Sequence, residues 1–191
     1  NIEDLTGFAT DGVINFDATV SDVAGNAGDW SESSNTLTID VTRPTITSAT
    51  STTDAGLYNT ADVINTTLGF NENVTLSGGN LTITLNTTGT STVAEADLSN
   101  ASTVSTTYTV SSGEATADKT PAKLTVSNVN VTAGELKDGA GNPMVFPVTS
   151  IASNIADIKT IEVDGIDPTK MAIQSVKTVG DTIRAGYWNE D

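Results

Sequence analysis

The sequence of 191 residues contains no cysteine and no histidine. The chain therefore has no thiol nucleophile, no imidazole base and no disulfide framework. Nearly all zinc, copper and iron sites are excluded as well, because they depend on sulfur or imidazole ligands. A metal bound by this chain is expected to be one that takes oxygen ligands.

Positive charge is also scarce. Lysine and arginine together number 8 against 24 aspartates and glutamates, which gives a net charge of −16. Nucleic acid and anionic membrane surfaces are excluded as partners, since both attract clustered cations. Bound divalent cations would relieve the self-repulsion that such a charge causes. The sequence has no apolar run of about 18 residues and no signal peptide, and residue 1 is expected to be an interior point of a longer protein.

What the sequence does contain is a repeated alternation of apolar and polar residues. This period of two predicts β-strands, with threonine on the solvent side, at residues 14–20, 37–41, 81–85, 108–110, 124–129 and 158–163. Glycine and asparagine pairs between these runs fit tight turns. Only residues 93–99 suggest a short helical turn. The pattern predicts an all-β fold, an antiparallel β-sandwich.

Two sequence motifs each occur twice along the chain, and in the same order both times. The motif Asp-Val-Ala-Gly-Asn at residues 22–26 returns as Asp-Gly-Ala-Gly-Asn at 138–142, and an aspartate stands four residues before a proline at both Asp40 and Asp164. We therefore expect one complete repeat at residues 41–165. Residues 1–40 would be the closing strands of the preceding repeat, and residues 166–191 the opening strands of the following one.

These repeats resemble the bacterial Ig-like repeats of large surface adhesins and RTX-type extender proteins. The resemblance rests on Asp-x-Ala-Gly-Asn, on Thr-Ile-Asp-x-Thr-x-Pro-Thr-Ile at residues 38–46, and on the stretch at 62–74 that contains Phe-Asn-Glu-Asn-Val. It implies a tandem Ig-like sandwich with Greek-key wiring, export to the cell surface, and calcium at the repeat junctions. The first linker departs from the pattern because it carries Arg43, which would weaken calcium binding there or replace part of the ion's charge.

Calcium takes six to eight oxygen ligands from carboxylates, amides and carbonyls. The acidic turns and linker aspartates supply such ligands, and Glu72 with Asn73 would reach the same end of the sandwich. The alternative is a purely structural role, in which an aspartate in a tight turn only accepts hydrogen bonds from the backbone of that turn. The candidate calcium ligands are Asp22, Asn26 and Asp40 at the first junction, and Asp138, Asn142, Asp164 and Asp167 at the second.

The first functional hypothesis is a non-enzymatic spacer in an extracellular or cell-surface adhesin, stiffened by calcium between neighbouring repeats. A second is a surface-layer or filament subunit that assembles with identical chains, because each incomplete end repeat needs strands from elsewhere. A third is a carbohydrate-binding module that uses Tyr187 and Trp188. Catalysis is not expected, since the carboxylates lack an accompanying aromatic pocket and serine lacks a histidine base.

Overall fold

The computed structural model describes residues 10–15, 21–26 and 36–167. Its strands are β1 (Gly12–Asn15), β2 (Thr36–Ile39), β3 (Ile46–Thr50), β4 (Gly56–Tyr58), β5 (Val63–Ser77), β6 (Asn80–Leu85), β7 (Thr90–Ala94), β8 (Ala101–Thr109), β9 (Val126–Thr132), β10 (Glu135–Asp138) and β11 (Ile161–Val163). The helical elements in these ranges are a 3-10 turn (Glu95–Asp97) and the short helix α1 (Ile155–Ile158). The predicted all-β class is confirmed, and so is the short helical turn predicted at residues 93–99.

Two larger sheets share one hydrophobic core. In the first sheet the long strand β5 pairs antiparallel with β3, β8 and β10; in the second, β6 pairs antiparallel with β7 and β9. Burying one leucine or isoleucine contributes about 1.5–3 kcal/mol, so this shared core is the main stabilising element. The largest buried aliphatic side chains of β5 and β6 are Ile64, Leu68, Leu76, Leu81, Ile83 and Leu85.

The turn between β5 and β6 carries the chain from the first sheet to the second. Gly78 and Gly79 both adopt positive φ angles there, +72° and +66°. A Cβ atom on Gly79 would lie only 1.9 Å from the carbonyl oxygen of Ala133. Glycine is required at this position because the neighbouring backbone fills the space of a side chain.

Two small sheets complete the described structure. Strands β1 and β2 form an antiparallel pair in the segment before residue 41, and β11 pairs parallel with β4. The prediction of one strand over 158–163 was wrong at its start, because Ile158 ends α1 and β11 begins at Ile161. The strand predicted from residue 124 begins at Val126. Residues 16–20 of the first predicted strand lie outside the described residues.

Side-chain capping explains why α1 forms where the alternating pattern predicts a strand. The Asn154 side chain caps its first turn, and the carboxylate of Asp157 accepts a hydrogen bond from the Asn154 backbone, which completes a capping box. The Asn154 side chain also bonds both the N–H and the carbonyl of Val126. The cap therefore attaches α1 to the edge of β9.

The predicted repeat boundaries at residues 40/41 and 165/166 stay predictions, as does the Ig-like assignment. Residues 168–191 lie outside the described part, and with them Tyr187 and Trp188. No helix in the described ranges is long and apolar enough to span a membrane.

Candidate metal centre

Three carboxylates converge where the segment before residue 41 meets the first large sheet. Asp40 follows β2, Asp138 ends β10, and Glu72 lies in β5. One oxygen from each lies within 4.8 Å of the others. Within residues 10–15, 21–26 and 36–167, this is the only place where three acidic side chains bring their oxygens so close together.

Glu72 faces this point because β5 is irregular there. The pairing of β5 with β8 shifts register between Gly69 and Val74, so the intervening residues leave the regular ladder. The Glu72 side chain is half-buried, and Asn71 donates a hydrogen bond of 3.0 Å to its Oε1 atom. The bulge thus turns a strand residue towards the other two carboxylates.

The turn at residues 138–142 fixes Asp138, which is only 8% exposed. Asn142 donates to it twice, from its backbone N–H to Oδ1 and from Nδ2 to Oδ2, each at 2.8 Å. The same Nδ2 donates to the backbone oxygen of Asp40 at 3.0 Å. Burial raises the pKa of Asp138, but the hydrogen bonds from Asn142, Gly141 and Ala140 outweigh it and lower that pKa overall.

A fourth carboxylate, Asp11, lies beside the cluster. Its Oδ1 accepts hydrogen bonds from the N–H groups of Val41 and Thr42, at 2.7 and 3.2 Å, and its Oδ2 accepts one from the Thr42 hydroxyl. These hydrogen bonds lower the pKa of Asp11, and the bond from the Thr42 hydroxyl has the largest effect. Asp40 is held similarly, since its Oδ1 accepts from the Thr42 N–H at 3.0 Å.

The pKa of Glu72 moves in the opposite direction. Partial burial raises this pKa most, and repulsion from Asp138 is the next largest effect. The hydrogen bond from Asn71 lowers it, and weaker repulsion from Asp40 and Asp11 raises it. Ionising Glu72 therefore costs more than ionising an exposed, isolated glutamate.

No cation of the described chain neutralises these carboxylates. The ion pairs in that part of the chain join Lys119 to Asp118 and Lys137 to Glu135. The Arg43 guanidinium instead donates a hydrogen bond of 3.3 Å to the carbonyl of Pro143. An open cleft of about 530 Å³ lies beside Asp40 and Glu72, and Asp138 is not among its lining residues. The cleft is lined by Asp11, Gly12, Val13, Thr38, Ile39, Asp40, Thr42, Asn71 and Glu72.

The first copy of the acidic turn has the same internal hydrogen bonds as the second. Asp22 accepts from the backbone N–H of Asn26 at 2.9 Å and from its Nδ2 at 2.8 Å, and these bonds lower the pKa of Asp22. Both residues are exposed. The two repeated motifs therefore adopt one local conformation, in which each aspartate first satisfies its own turn.

Asp164 and Asp167 lie elsewhere. They line a separate cleft of about 950 Å³ together with Leu57 and Ile166. Gly165, next to Asp164, accepts a hydrogen bond from Thr60, which lies just before the start of β5. Asp138 instead pairs with Val74, near the end of β5. The structure thus places Asp138 with Asn142 beside Asp40, and places Asp164 near the other end of the same long strand.

Sequence reasoning flagged Glu72 but did not identify Asp11. Asp11 lies about thirty residues before the linker it binds, and the pair Asp11-Gly12 reads as an ordinary turn. Nothing in the local pattern distinguishes it from other aspartates, so it is found only once the chain is folded.

Comparisons with family models, with curated proteins and with solved structures gave no significant match.

Proposed function

We propose that this chain is a non-enzymatic spacer of repeated β-sandwiches in an extracellular adhesin or matrix protein, and that calcium binds at its first repeat junction. The observation that carries the proposal is the convergence of Asp40, Glu72 and Asp138 within 4.8 Å. Asp40 belongs to the segment before residue 41, and the other two belong to the sandwich. An ion bound there would join the two units. The adhesin context rests on the sequence resemblance.

The chemistry of the cluster favours a hard divalent cation. Three carboxylates offer up to six oxygens, and the open cleft leaves room for water, which suits the high and flexible coordination number of calcium. Magnesium is a poorer fit because it demands near-ideal octahedral geometry. The negative charge of Asp40, Glu72 and Asp138, without a nearby basic partner in the described residues, makes a cation favourable.

The aspartates already accept hydrogen bonds in their turns, and this is compatible with metal binding. A carboxylate oxygen has two lone-pair positions, so Asp138 can accept from Asn142 and still face a cation. The turn then orients the ligand in advance, as outer-shell hydrogen bonds do in metal sites generally.

Calorimetric titration of the full chain with calcium tests the proposal. We expect binding, and at a free calcium concentration of about 100 times Kd a stabilisation of about 2.7 kcal/mol. For a chain of this length that corresponds to a rise in Tm of roughly 5–10 °C. Glu72→Gln should weaken binding at least tenfold. The matched control is Asp54→Asn, which removes one exposed carboxylate outside the cluster. Equal binding by the wild type and Glu72→Gln would rule out this site.

A further inference from the structure

We propose that hydrogen bonds to the linker at residues 40–45 form a metal-independent clamp. This clamp holds the β1–β2 segment in a fixed orientation on the sandwich, and Asp11 is its principal positioning residue. The clamp consists of hydrogen bonds from both sides to the linker. It is separate from the proposed calcium site, and either can fail without the other.

On the side of the β1–β2 segment, a single carboxylate binds three donors of the linker. Asp11 accepts from the N–H groups of Val41 and Thr42 and from the Thr42 hydroxyl. A hydrogen bond to a charged acceptor is shorter and stronger than one between neutral groups. Asp11 therefore fixes the first half of the linker to the strand pair that precedes it.

On the sandwich side, three residues hold the rest of the linker. Asn142 donates to the Asp40 carbonyl at 3.0 Å. Asn71 accepts from the Thr45 N–H at 2.6 Å through its side chain, and its own N–H donates to the Thr45 carbonyl at 3.1 Å. Between these bonds Arg43 donates to the Pro143 carbonyl.

The linker itself is stiff. Pro44 is buried, and its ring restricts φ. Flexible linkers expose their backbone groups to water and sample many conformations. Here five backbone groups of the linker are hydrogen-bonded to one unit or the other: the N–H groups of Val41, Thr42 and Thr45 and the carbonyls of Asp40 and Thr45. Arg43 then has a structural explanation: it bonds the linker to Pro143, which directly follows the turn at residues 138–142.

The absence of cysteine makes a direct test available, because two labels can be introduced without background. Spin labels at Leu37→Cys, in β2, and Thr103→Cys, an exposed position of β8, report the distance between the segment and the sandwich. We expect pulsed electron resonance in excess chelator to give one narrow distance distribution. Asp11→Ala should at least double its width, and Asp11→Asn, which keeps an acceptor for both N–H groups, should restore most of the narrowness.

Two controls separate loss of the clamp from loss of folding. Asp54→Ala removes the same charge away from the linker and should leave the width unchanged. Asn71→Ala acts from the sandwich side, so broadening there cannot come from unfolding of the β1–β2 pair. Broadening in both Asp11→Ala and Asn71→Ala supports the clamp. A distribution that is already broad in chelator, or one that either alanine variant leaves unchanged, overturns it.

A failed clamp and a failed calcium site give different results. If the clamp is absent but calcium binds, the wild-type distribution is broad in chelator and narrows when calcium is added. If the clamp is present but calcium does not bind, the distribution is narrow in chelator and does not respond to calcium.

Discussion

Single residues in this chain take their roles from what surrounds them rather than from their type. Gly79 and Gly139 are both turn glycines, yet only Gly79 has a positive φ and backbone atoms in the space of a side chain. Similarly, Asp138 and Asp54 are both aspartates, but Asp138 is buried and hydrogen-bonded, whereas Asp54 is exposed.

The glycine contrast gives the first prediction. Gly79→Ala should destabilise the fold by more than about 2 kcal/mol, because the new methyl group meets the Ala133 carbonyl and the φ angle is unfavourable. Gly139→Ala meets no atom within 4 Å and should change stability by less than about 0.5 kcal/mol. Urea denaturation of the two variants measures both values. Equal destabilisation would contradict the described turn.

Glu72 gives a prediction that depends on pH. Its pKa is raised in the folded state above the ordinary value of 4.5, so the folded chain holds this proton more tightly than the unfolded chain does. Stability then falls as the pH rises through the raised pKa. In chelator at pH 7, Glu72→Gln should therefore melt at a higher temperature than the wild type. The difference should vanish below about pH 4, where both states are protonated.

Melting curves between about pH 3 and pH 8, with and without calcium, check this reasoning. Calcium should reverse the order at neutral pH, because the wild type gains stability from the ion and the variant gains much less. Asp54→Asn should show neither effect. A Glu72→Gln variant that melts below the wild type in chelator would show that Glu72 is not a repelled carboxylate.

At the scale of elements, the alternating pattern predicts the strands well wherever one face is buried. In β6, Leu81, Ile83 and Leu85 are buried while the threonines between them lie on the outer face. The pattern fails at residues 158–163, since the apolar Ile158 belongs to a helix that side-chain capping specifies. Period two cannot distinguish a strand from one short helical turn that precedes it.

The cap of α1 gives a further prediction. Asn154→Ala removes the helix cap and both bonds to Val126, and should cost about 2–3 kcal/mol. Asn130 is the matched control, because it is exposed on β9, and Asn130→Ala should be close to neutral. Hydrogen exchange of the Val126 amide should accelerate only in the Asn154 variant. Unchanged exchange there would contradict the attachment of α1 to β9.

For the whole molecule, the alternating pattern predicts the all-β class, and the composition predicts oxygen ligands for any bound metal. Neither predicts which carboxylates meet. The sequence makes Asp40 and Asp138 candidates at two different junctions, but the structure brings them together because β2 and β10 end at the same place. The participation of Asp11, and the position of Asp164 near the other end of β5, depend on long-range packing. Sequence spacing carries no information about either.

The central claim is that one calcium ion joins the segment before residue 41 to the sandwich. Crystals of the full chain grown in calcium, measured for the anomalous signal of the ion, test it most directly. We expect an anomalous peak between the carboxylates of Asp40, Glu72 and Asp138, with oxygen atoms at about 2.3–2.6 Å from the ion. Well-ordered carboxylates at this position with no peak between them would contradict it.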